Sequence, residues 1–407
     1  MLNFAPTEEQ EEIRNLARSL AVEQLRPQGR EAEQKGDISP ELMQTLSQIG
    51  LTTPFPEEFG GSGAIEAMTY TLIAEELGFG DGALAMNIIG SLMGPITVLL
   101  AGDERQQQEH ITPFCDPRNG YEQRGSLAFA ERTGGYTLAD VAMTARKDGD
   151  HFILNGTKRD VIHGWESGTR VVLLRQENTV DTEGLCAFMV PAKVEGLQIS
   201  ADVQKLGLIA VPGVSYSLTD VVIQEACMLG EPGNKGVIRA ATLYNILRAG
   251  VACGMARAAF EYAMDYAKER IAFGRPIASY QGIAFMVSEM AMKLDAARLL
   301  LWRAATSWDR MGVGIPLAGI LHPYDPLRYG SGASHDSLGP RLAGILHPYD
   351  PLRSPWLELV RESESAQHQA VEIAKSATID AVQIMGGAGF MQDHPVEMWM
   401  RNAAAME

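Results

Sequence analysis

The chain has 407 residues, of which 46% are hydrophobic and 21% charged. This composition is typical of a globular protein with two or three subdomains, and it excludes wholesale disorder, collagen and a disulfide scaffold. The 34 basic and 51 acidic residues give a net charge of −17, which repels phosphate backbones and excludes a general nucleic-acid binder.

The four cysteines show no C-x-x-C spacing, so we expect free, buried thiols in a reducing compartment and no metal site. They are Cys115, Cys186, Cys227 and Cys253. The first ten residues lack the basic and apolar regions of a signal peptide, so a cytoplasmic location is expected. Residues 85–102 are apolar and about as long as the shortest membrane spans, but their glycines, proline and polar residues favour a buried core helix over a membrane span.

The N-terminal part of the chain predicts helices. Thr7 and Gln10 have the spacing of a capping box, and apolar residues then recur with helical periodicity. Pro40 predicts the first turn of another helix. The glycine loop at 59–63 follows no strand and lacks the G-x-G-x-x-G pattern, so it does not indicate a dinucleotide-binding site.

The middle of the chain predicts strands separated by turn signals. The strand-length runs lie at 171–174, 186–190 and 216–223. Residues 151–158 predict a β-hairpin, because Asn155-Gly156 is a favoured two-residue hairpin turn. We therefore expect a β domain at 123–235 between helical domains.

The C-terminal part predicts long helices at 236–311 and from about 357 to 385. Between them, residues 317–328 recur letter for letter at 342–353 within a proline-rich stretch that cannot stay helical. Two copies are fewer than the roughly three that a solenoid needs. The repeat is either a recognition loop in tandem or a local duplication, or a flaw in the gene record, tolerated as a surface loop.

Five strings together resemble the acyl-CoA dehydrogenase family over nearly the whole chain. They are P-E-E-F-G-G-S-G at 56–63, E-E-L-G at 75–78, L-N-G-T-K at 154–158, Y-A-K-E-R-I-A-F-G-R-P-I at 266–277 and D-A-V-Q-I-M-G-G-A-G-F at 380–390. The resemblance implies an α+β fold with an N-terminal helical domain, a middle β-barrel or sandwich domain and a C-terminal helical bundle. The expected boundaries are 1–122, 123–235 and 236–407, with the proline-rich insertion at 312–356.

The family resemblance also implies FAD, an acyl-CoA substrate, an electron-transferring flavoprotein as partner, and a homotetramer or dimer. It carries FAD-binding roles to Phe129, Ala130, Ile162, Arg270, Phe273, Gln281, Gln383, Gly386 and Gly387. A guanidinium at Arg270 suits a pyrophosphate, and glycine permits a close backbone approach. The alternatives are an exposed helix cation at Arg270 and a helix C-cap at Gly386-Gly387.

The same resemblance implies a substrate site. Arg248 matches a family arginine near the acyl-CoA, and Asn245 and Tyr136 are assigned to the same site. The alternative for Arg248 is a helix-packing or surface arginine. The implied reaction is α,β-dehydrogenation, in which a carboxylate removes the α-proton and hydride passes to the flavin.

Three strings depart from the family pattern at the flavin. Ala130-Glu131-Arg132 stands for Thr-Glu-Pro, Gly135-Tyr136-Thr137 for Gly-Ser-Asp, and Asp160-Val161-Ile162 for Trp-Ile-Thr. Hydroxyl groups are lost, Tyr136 replaces a small residue, and Asp160 beside a flavin would disfavour its anionic reduced form. Contacts through the backbone at Phe129, Ala130 and Ile162 remain available.

No catalytic residue is assigned from the sequence. The family glutamate sits in a Glu-Gly-Thr string beyond 394–402, and the chain ends at Glu407. Some relatives place the base immediately before the helical arginine, where this chain has Leu247. The family's final helix is also absent, which should expose apolar surface. The eight histidines show no metal-binding spacing, so no metal is expected.

Four interpretations stay open at this point. The first is an acyl-CoA dehydrogenase, and the second is a relative that performs other CoA-thioester chemistry without α-proton removal. The third is a non-catalytic FAD- or CoA-binding relative, or a partner subunit of a hetero-oligomer, and the fourth is the product of a decaying gene. Bound flavin, and its bleaching by acyl-CoA, would separate them.

Overall fold

A computed structural model gives the fold. It describes residues 6–63, 65–131, 135–201, 204–312 and 354–407. The duplicated, proline-rich segment expected at 312–356 therefore lies, but for its ends, outside the described residues.

The N-terminal part is helical, as its sequence predicts. Its helices are α1 (Glu8–Leu20), a π-helical turn (Ala21–Leu25), α2 (Arg26–Lys35), α3 (Pro40–Gln48), α4 (Ala67–Gly80), α5 (Gly82–Ala101) and α6 (Glu104–Ile111). The capping box is confirmed, because the Gln10 amide donates to the Thr7 hydroxyl oxygen and the Thr7 amide donates to Gln10 Oε1. Pro40 begins α3, and Ser39 caps it.

Helix α5 is almost wholly buried in the protein core. It is the one helix of the described residues whose length and apolar composition would suffice to cross a membrane. Yet 89% of its apolar window is buried within the protein, which confirms the prediction of a core helix. Asp81 caps its first turn by accepting from the amides of Ala83 and Leu84.

The middle part folds into one curled, mixed, seven-stranded sheet. Its strands are β1 (Gly125–Ala128), β2 (Thr144–Asp148), β3 (His151–Ile162), β4 (Thr169–Gln176), β5 (Leu185–Met189), β6 (Leu197–Ala201) and β7 (Gly213–Gln224). They lie in the order β1-β4-β2-β3-β7-β6, with β5 also paired to β4. The parallel pair β1–β4 faces α5, and β2 also pairs in parallel with β4.

The hairpin predicted at 151–158 is wrong. Strand β3 runs straight through Asn155-Gly156, where only the register with β7 shifts. The reversal lies one turn signal earlier, at Gly149, whose φ of 66° joins β2 to β3. Gly156 has a different task, because a Cβ there would lie 2.2 Å from Cγ of Met143. Tertiary packing thus converts a local turn signal into a β-bulge.

The C-terminal part is a helical bundle. Its elements are α7 (Lys235–Glu269), β8 (Ile271–Ala272), β9 (Arg275–Pro276), α8 (Gln281–Gly312), α9 (Pro355–Met385) and α10 (Val396–Ala404). Helix α7 crosses α4 at very short range, because a Cβ added at Gly254 would lie 2.1 Å from the Glu75 carbonyl oxygen. This contact joins the bundle to the N-terminal helices.

Side-chain pairs fix the directions of the bundle helices. Arg303 of α8 pairs with Glu362 of α9, and Lys293 lowers the pKa of Asp380, which burial raises. Helices α8 and α9 are therefore antiparallel, so the start of α8 lies near the end of α9. Helix α7 is parallel to α9, because Lys235 and Trp356 lie in the first turns of the two helices and the Lys235 ammonium is 5.4 Å from the Trp356 ring.

Candidate active site

A buried ion pair fixes the backbone of the segment that follows β1. Lys158 Nζ donates to Glu131 Oε1 at 2.6 Å and to the carbonyl oxygen of Phe129 at 2.9 Å. The Glu131 carboxylate also accepts from the amides of Ala142 and Met143. Burial lowers the pKa of Lys158 to about 8 in spite of its carboxylate partner. The segment is thus held from three directions, which suits a ligand contact made through its backbone.

Ile162 ends β3 against the core helix. A Cβ added at Gly90 of α5 would lie 2.6 Å from Cγ2 of Ile162, so only glycine allows this approach. The next residue, His163, has a φ of 55° and sits with Nε2 3.0 Å from Oδ1 of the buried Asn87. Ile162 therefore lies where the sheet meets the N-terminal helices.

Three aromatic rings, of Phe129, Tyr136 and Tyr244, pack together where the segment after β1 meets α7. The Tyr136 ring packs edge-on against Phe129 and Tyr244, with centroid distances of 5.6 and 5.7 Å. Burial raises the pKa of both tyrosines, although the Arg248 guanidinium opposes the effect. Both phenols are accordingly uncharged near neutral pH.

Arg248 is buried beneath Tyr136. Its guanidinium carbon lies 3.4 Å from the centre of that ring, and Nη2 donates to the Met406 carbonyl oxygen at 2.6 Å. Its Nε and Nη1 have no hydrogen-bond partner among the described residues. Asn245 donates to the Tyr136 carbonyl oxygen at 3.1 Å, while its own Oδ1 is buried and unpartnered. The structure thus brings the three predicted substrate residues together.

An apolar pocket lies between α4, α5 and α7. Its lining residues are Leu51, Pro54, Tyr70, Ile73, Ala74, Leu77, Ile88, Ile89, Leu92, Ile96 and Leu247. The empty space in and in front of it, open solvent included, is about 360 Å³, and no lining residue is charged. Leu247 directly precedes Arg248 on α7, but consecutive helical residues point in different directions, and Arg248 does not line the pocket.

Six of the predicted FAD residues form a second, exposed group at one end of the bundle. They are Arg270, Phe273, Gln281, Gln383, Gly386 and Gly387. Phe273 is 96% exposed, and a Cβ added at either glycine would meet no atom within 4 Å. Gly386 also ends α9 with a φ of 58°, so the helix C-cap expected as an alternative is present.

The two groups of predicted FAD residues do not touch within the chain. In the part of the chain that the structure describes, no hydrogen bond, ion pair or ring contact joins the exposed six to Phe129, Ala130 or Ile162. The Arg270 side chain likewise makes no polar contact with the described residues, so its donors are free for a ligand.

These residues fit FAD because they offer unused hydrogen-bond donors and open space. Arg270 offers unused donors of the kind that bind a pyrophosphate, and two exposed glutamine amides lie at the same end of the bundle. Gly386 and Gly387 leave open space for a close approach. The segment at 129–131 is rigid and offers backbone groups. The structure thus supplies two separate parts of a cradle.

Two contributions to the site are absent from the sequence prediction. The Lys158–Glu131 pair holds the flavin-side segment. Lys158 lies in the L-N-G-T-K string that resembles the family, and Glu131 lies in the string that departs from it at the flavin. Glu364 of α9 accepts from the Leu138 amide at 2.8 Å, and burial raises its pKa. It anchors the Tyr136 segment, but 226 residues separate the partners and no local pattern links them.

Protein-family models match along most of the chain. The N-terminal, middle and C-terminal domains of acyl-CoA dehydrogenase match residues 7–117, residues 126–221, and residues 234–319 with 359–407. The fold and these matches define a flavoprotein of the CH–CH oxidoreductase class. The chain belongs to the acyl-CoA dehydrogenase family, whose members depend on FAD.

Individual relatives cover nearly the full length. The chain is 30% identical to the 3-(aryl)acrylate reductase of Clostridium sporogenes, over 97% of this chain and 93% of that protein. It is 29% identical to the mitochondrial short-chain specific acyl-CoA dehydrogenase of Rattus norvegicus, over 97% and 85%. A chain in the structure of the electron transferring flavoprotein of Acidaminococcus fermentans is 26% identical, with a TM-score of 0.76 and coverage of 100% and 94%.

Proposed function

We propose that this protein catalyses FAD-dependent α,β-dehydrogenation of an acyl-CoA thioester and passes the electrons to an electron-transferring flavoprotein. The observation that carries the proposal is the uncharged pocket between α4, α5 and α7, in a chain that matches all three family domains. The named relatives include a short-chain acyl-CoA dehydrogenase, and a structural neighbour comes from work on an electron transferring flavoprotein.

In this proposal the pocket takes the hydrocarbon part of the acyl group. Its lining is aliphatic except for Tyr70, whose pKa burial raises to about 12, so its phenol stays neutral. Burial of methylene groups there contributes roughly 0.8 kcal/mol each. Because α4 and α5 close the pocket, their side chains limit the length of the acyl chain that fits.

FAD, when bound, supplies the two-electron oxidation. Arg270, Gln281 and Gln383 would hold its polar part, and the backbone at 129–131 and Ile162 would contact its ring system. Lys158 and Glu131 keep that backbone in place, and Phe129 and Tyr136 exclude water from the reacting carbons. Each of these contributions is positional, so each depends on the packing described above.

One observation favours a second candidate, a non-catalytic FAD- or CoA-binding relative or a partner subunit. The Tyr136 ring lies directly on Arg248, where the resemblance places the acyl-CoA. If Tyr136 stays in that position, the thioester cannot approach the arginine. The two candidates therefore differ in whether a substrate displaces the ring.

An absorbance spectrum of the purified protein, followed by anaerobic addition of acyl-CoAs of increasing chain length, tests the proposal. Bound flavin that bleaches with at least one acyl-CoA supports the dehydrogenase. Flavin that stays oxidised with every acyl-CoA, while acyl-CoA binds by calorimetry, supports the non-catalytic relative. A protein that binds neither FAD nor acyl-CoA contradicts both.

The exposed FAD residues support a homo-oligomer, in which a neighbouring subunit completes the cradle. Large apolar side chains are also exposed on α8, among them Phe285, Met292 and Leu299. Four free cysteines, of which Cys186 and Cys253 are buried, are consistent with a cytoplasmic location. Light scattering on the FAD-loaded protein gives the oligomeric mass, and a monomer would contradict the shared cradle.

A further inference from the structure

The imidazole of His163 is buried and has a polar neighbour at each nitrogen. It is 1% exposed, and its Nε2 lies 3.0 Å from Oδ1 and 3.3 Å from the backbone oxygen of Asn87. On the other side, Nδ1 lies 3.8 Å from a carboxylate oxygen of the exposed Glu166, and His163 lowers the pKa of that carboxyl. The ring thus connects the core helix α5 with the protein surface.

The hydrogen bonds of Asn87 decide which nitrogen of His163 is the donor. The Asn87 amide nitrogen donates to Oδ1 of Asp37 at 2.8 Å and to the Ala210 carbonyl oxygen at 2.7 Å. These two acceptors fix the orientation of the amide, so its Oδ1 accepts and Nε2 of His163 donates. A continuous chain of hydrogen bonds therefore runs from His163 through Asn87 to Asp37.

The backbone at His163 is held as firmly as its ring. Its φ of 55° lies in the left-handed region that few non-glycine residues occupy, and Asp160 has a φ of 54°. The His163 amide donates to the Pro212 carbonyl oxygen at 2.8 Å, and the Ser167 amide donates to the His163 carbonyl oxygen at 2.9 Å. Such a conformation costs free energy and persists only where the surroundings over-determine it, which happens most often at ligand sites.

Ile162 and His163 are attached to the same face of α5. Ile162 packs against Gly90, and His163 binds Asn87, three residues earlier on that helix. The two contacts together fix the position of the peptide group that joins Ile162 to His163. The backbone of Ile162 is the part of this segment that would contact the flavin ring, so these contacts set where the ring meets the protein.

We propose that His163 is a positioning residue of the FAD site, which holds the backbone of Ile162 in place for the flavin ring through its hydrogen bond to Asn87. This inference rests on the proposed function for the contact between Ile162 and the flavin. Hydrogen bonds from the protein to the ring tune the reduction potential of a flavin. Displacement of this segment therefore changes the potential of the bound flavin as well as the affinity for FAD.

Three substitutions of His163 separate its two nitrogens. His163→Gln keeps an N–H donor at the place of Nε2, the shorter side chain of His163→Asn reaches only the place of Nδ1, and His163→Leu keeps neither. We expect FAD to bind about tenfold more weakly in the Asn and Leu variants. Their two-electron reduction equilibrium should shift about tenfold, or about 30 mV, towards the oxidised flavin, because displaced backbone amides no longer stabilise the electron-rich reduced ring. His163→Gln should stay close to the parent in both measurements.

Titration of the FAD-free full chain with FAD gives the affinity, and spectroelectrochemistry of the FAD-loaded chain gives the potential. Urea unfolding of the FAD-free variants shows whether each one folds. Glu166→Gln is the matched control, because it removes the exposed neighbour of Nδ1 and leaves the bond to Asn87. It should change the FAD affinity by less than about twofold, since exposed ion pairs contribute little.

The pattern across the variants decides the role of His163. A parent-like His163→Gln beside a shifted His163→Asn supports the positioning role, and this comparison holds even if His163→Leu fails to fold. Parent-like affinity and potential in His163→Asn, or equal shifts in the Asn and Gln variants, overturn it. Flavin bleaching by acyl-CoA is measured separately on the parent. Its absence contradicts the dehydrogenase and leaves the role of His163 to the FAD measurements, whereas a parent chain that binds no FAD overturns both.

Discussion

The guanidinium carbon of Arg248 lies 3.4 Å from the ring centre of Tyr136. The two residues are 112 positions apart in the sequence, and Arg248 lies in helix α7 whereas Tyr136 lies in a loop of the β domain. Their contact makes Tyr136 both a packing element and the cover of the predicted substrate site, so a change there affects stability and specificity together.

Tyr136→Ser should uncover Arg248 and leave a cavity among Phe129 and Tyr244. We expect the free energy of unfolding to fall by about 3 kcal/mol, as for other large-to-small substitutions in cores. The range of acyl-CoAs that bleach the flavin should also change. Urea unfolding and the substrate panel measure the two effects, and Tyr136→Phe, which keeps the ring, is the control. An unchanged substrate profile in Tyr136→Ser would argue against its place in the site.

Arg270→Gln should weaken FAD binding by about tenfold or more, since a free guanidinium in an exposed cradle has no other partner among the described residues. The stability of the FAD-free protein should not change. Titration of the FAD-free protein with FAD measures the affinity. Arg146→Gln, an exposed arginine on β2, is the matched control; equal FAD affinity in the two variants would remove Arg270 from the cofactor site.

Glu76 lies in a buried ion network between α1, α4 and α7. It is 3% exposed at its side chain and accepts from Arg18 and Arg257. Glu76→Gln removes a buried carboxylate from Arg257, which keeps Glu75, and from the 34% exposed Arg18, and should cost about 2–3 kcal/mol. Glu261→Gln removes a 36% exposed partner of the same arginines and should cost about 1 kcal/mol or less. Denaturant unfolding of both variants tests the order, which equal losses would contradict.

Gly254 and Gly282 offer a matched pair of helical glycines. An alanine Cβ at Gly254 would collide with the backbone of α4, whereas one at Gly282 meets no atom within 4 Å. We expect Gly254→Ala to destabilise by about 1–3 kcal/mol or more, and Gly282→Ala to be neutral or to stabilise by up to about 1 kcal/mol. Thermal melting of both variants measures the difference in stability. An unchanged melting temperature in Gly254→Ala would mean that α4 and α7 can separate at little cost.

Asp309 gives a pH dependence with a definite sign. It accepts from the amides of Ala67 and Met68 at the start of α4, and burial raises its pKa from 3.8 to about 6. The folded state therefore binds more protons between those values, so this group's contribution to stability falls as the pH rises from about 4 to 6, by at most about 3 kcal/mol.

Asp309→Asn should flatten that part of the stability curve. Urea unfolding at several pH values between about 4 and 7 measures it. Asp295→Asn, an exposed aspartate on the same helix, is the control. A variant curve that still falls over this range as steeply as the parent curve would assign the dependence to another group.

Much of the fold follows from the sequence by itself. Caps and periodic apolar residues fix where helices begin, as at Thr7 and Pro40, because these signals act within one or two turns. The β-rich runs and the long C-terminal helices also follow from residue patterns that act over a few positions. The strings that resemble the family identify its cofactor and name the residues at which to look for the sites.

Other features exist only in the tertiary structure. The turn signal at Asn155-Gly156 becomes a β-bulge because β7 pairs along the whole of β3. The cover of Arg248 by Tyr136 and the anchor from Glu364 to Leu138 depend on residues more than 100 positions apart. Local propensity acts over a few residues, whereas burial and charge compensation depend on which distant segments meet, so only the folded chain decides them.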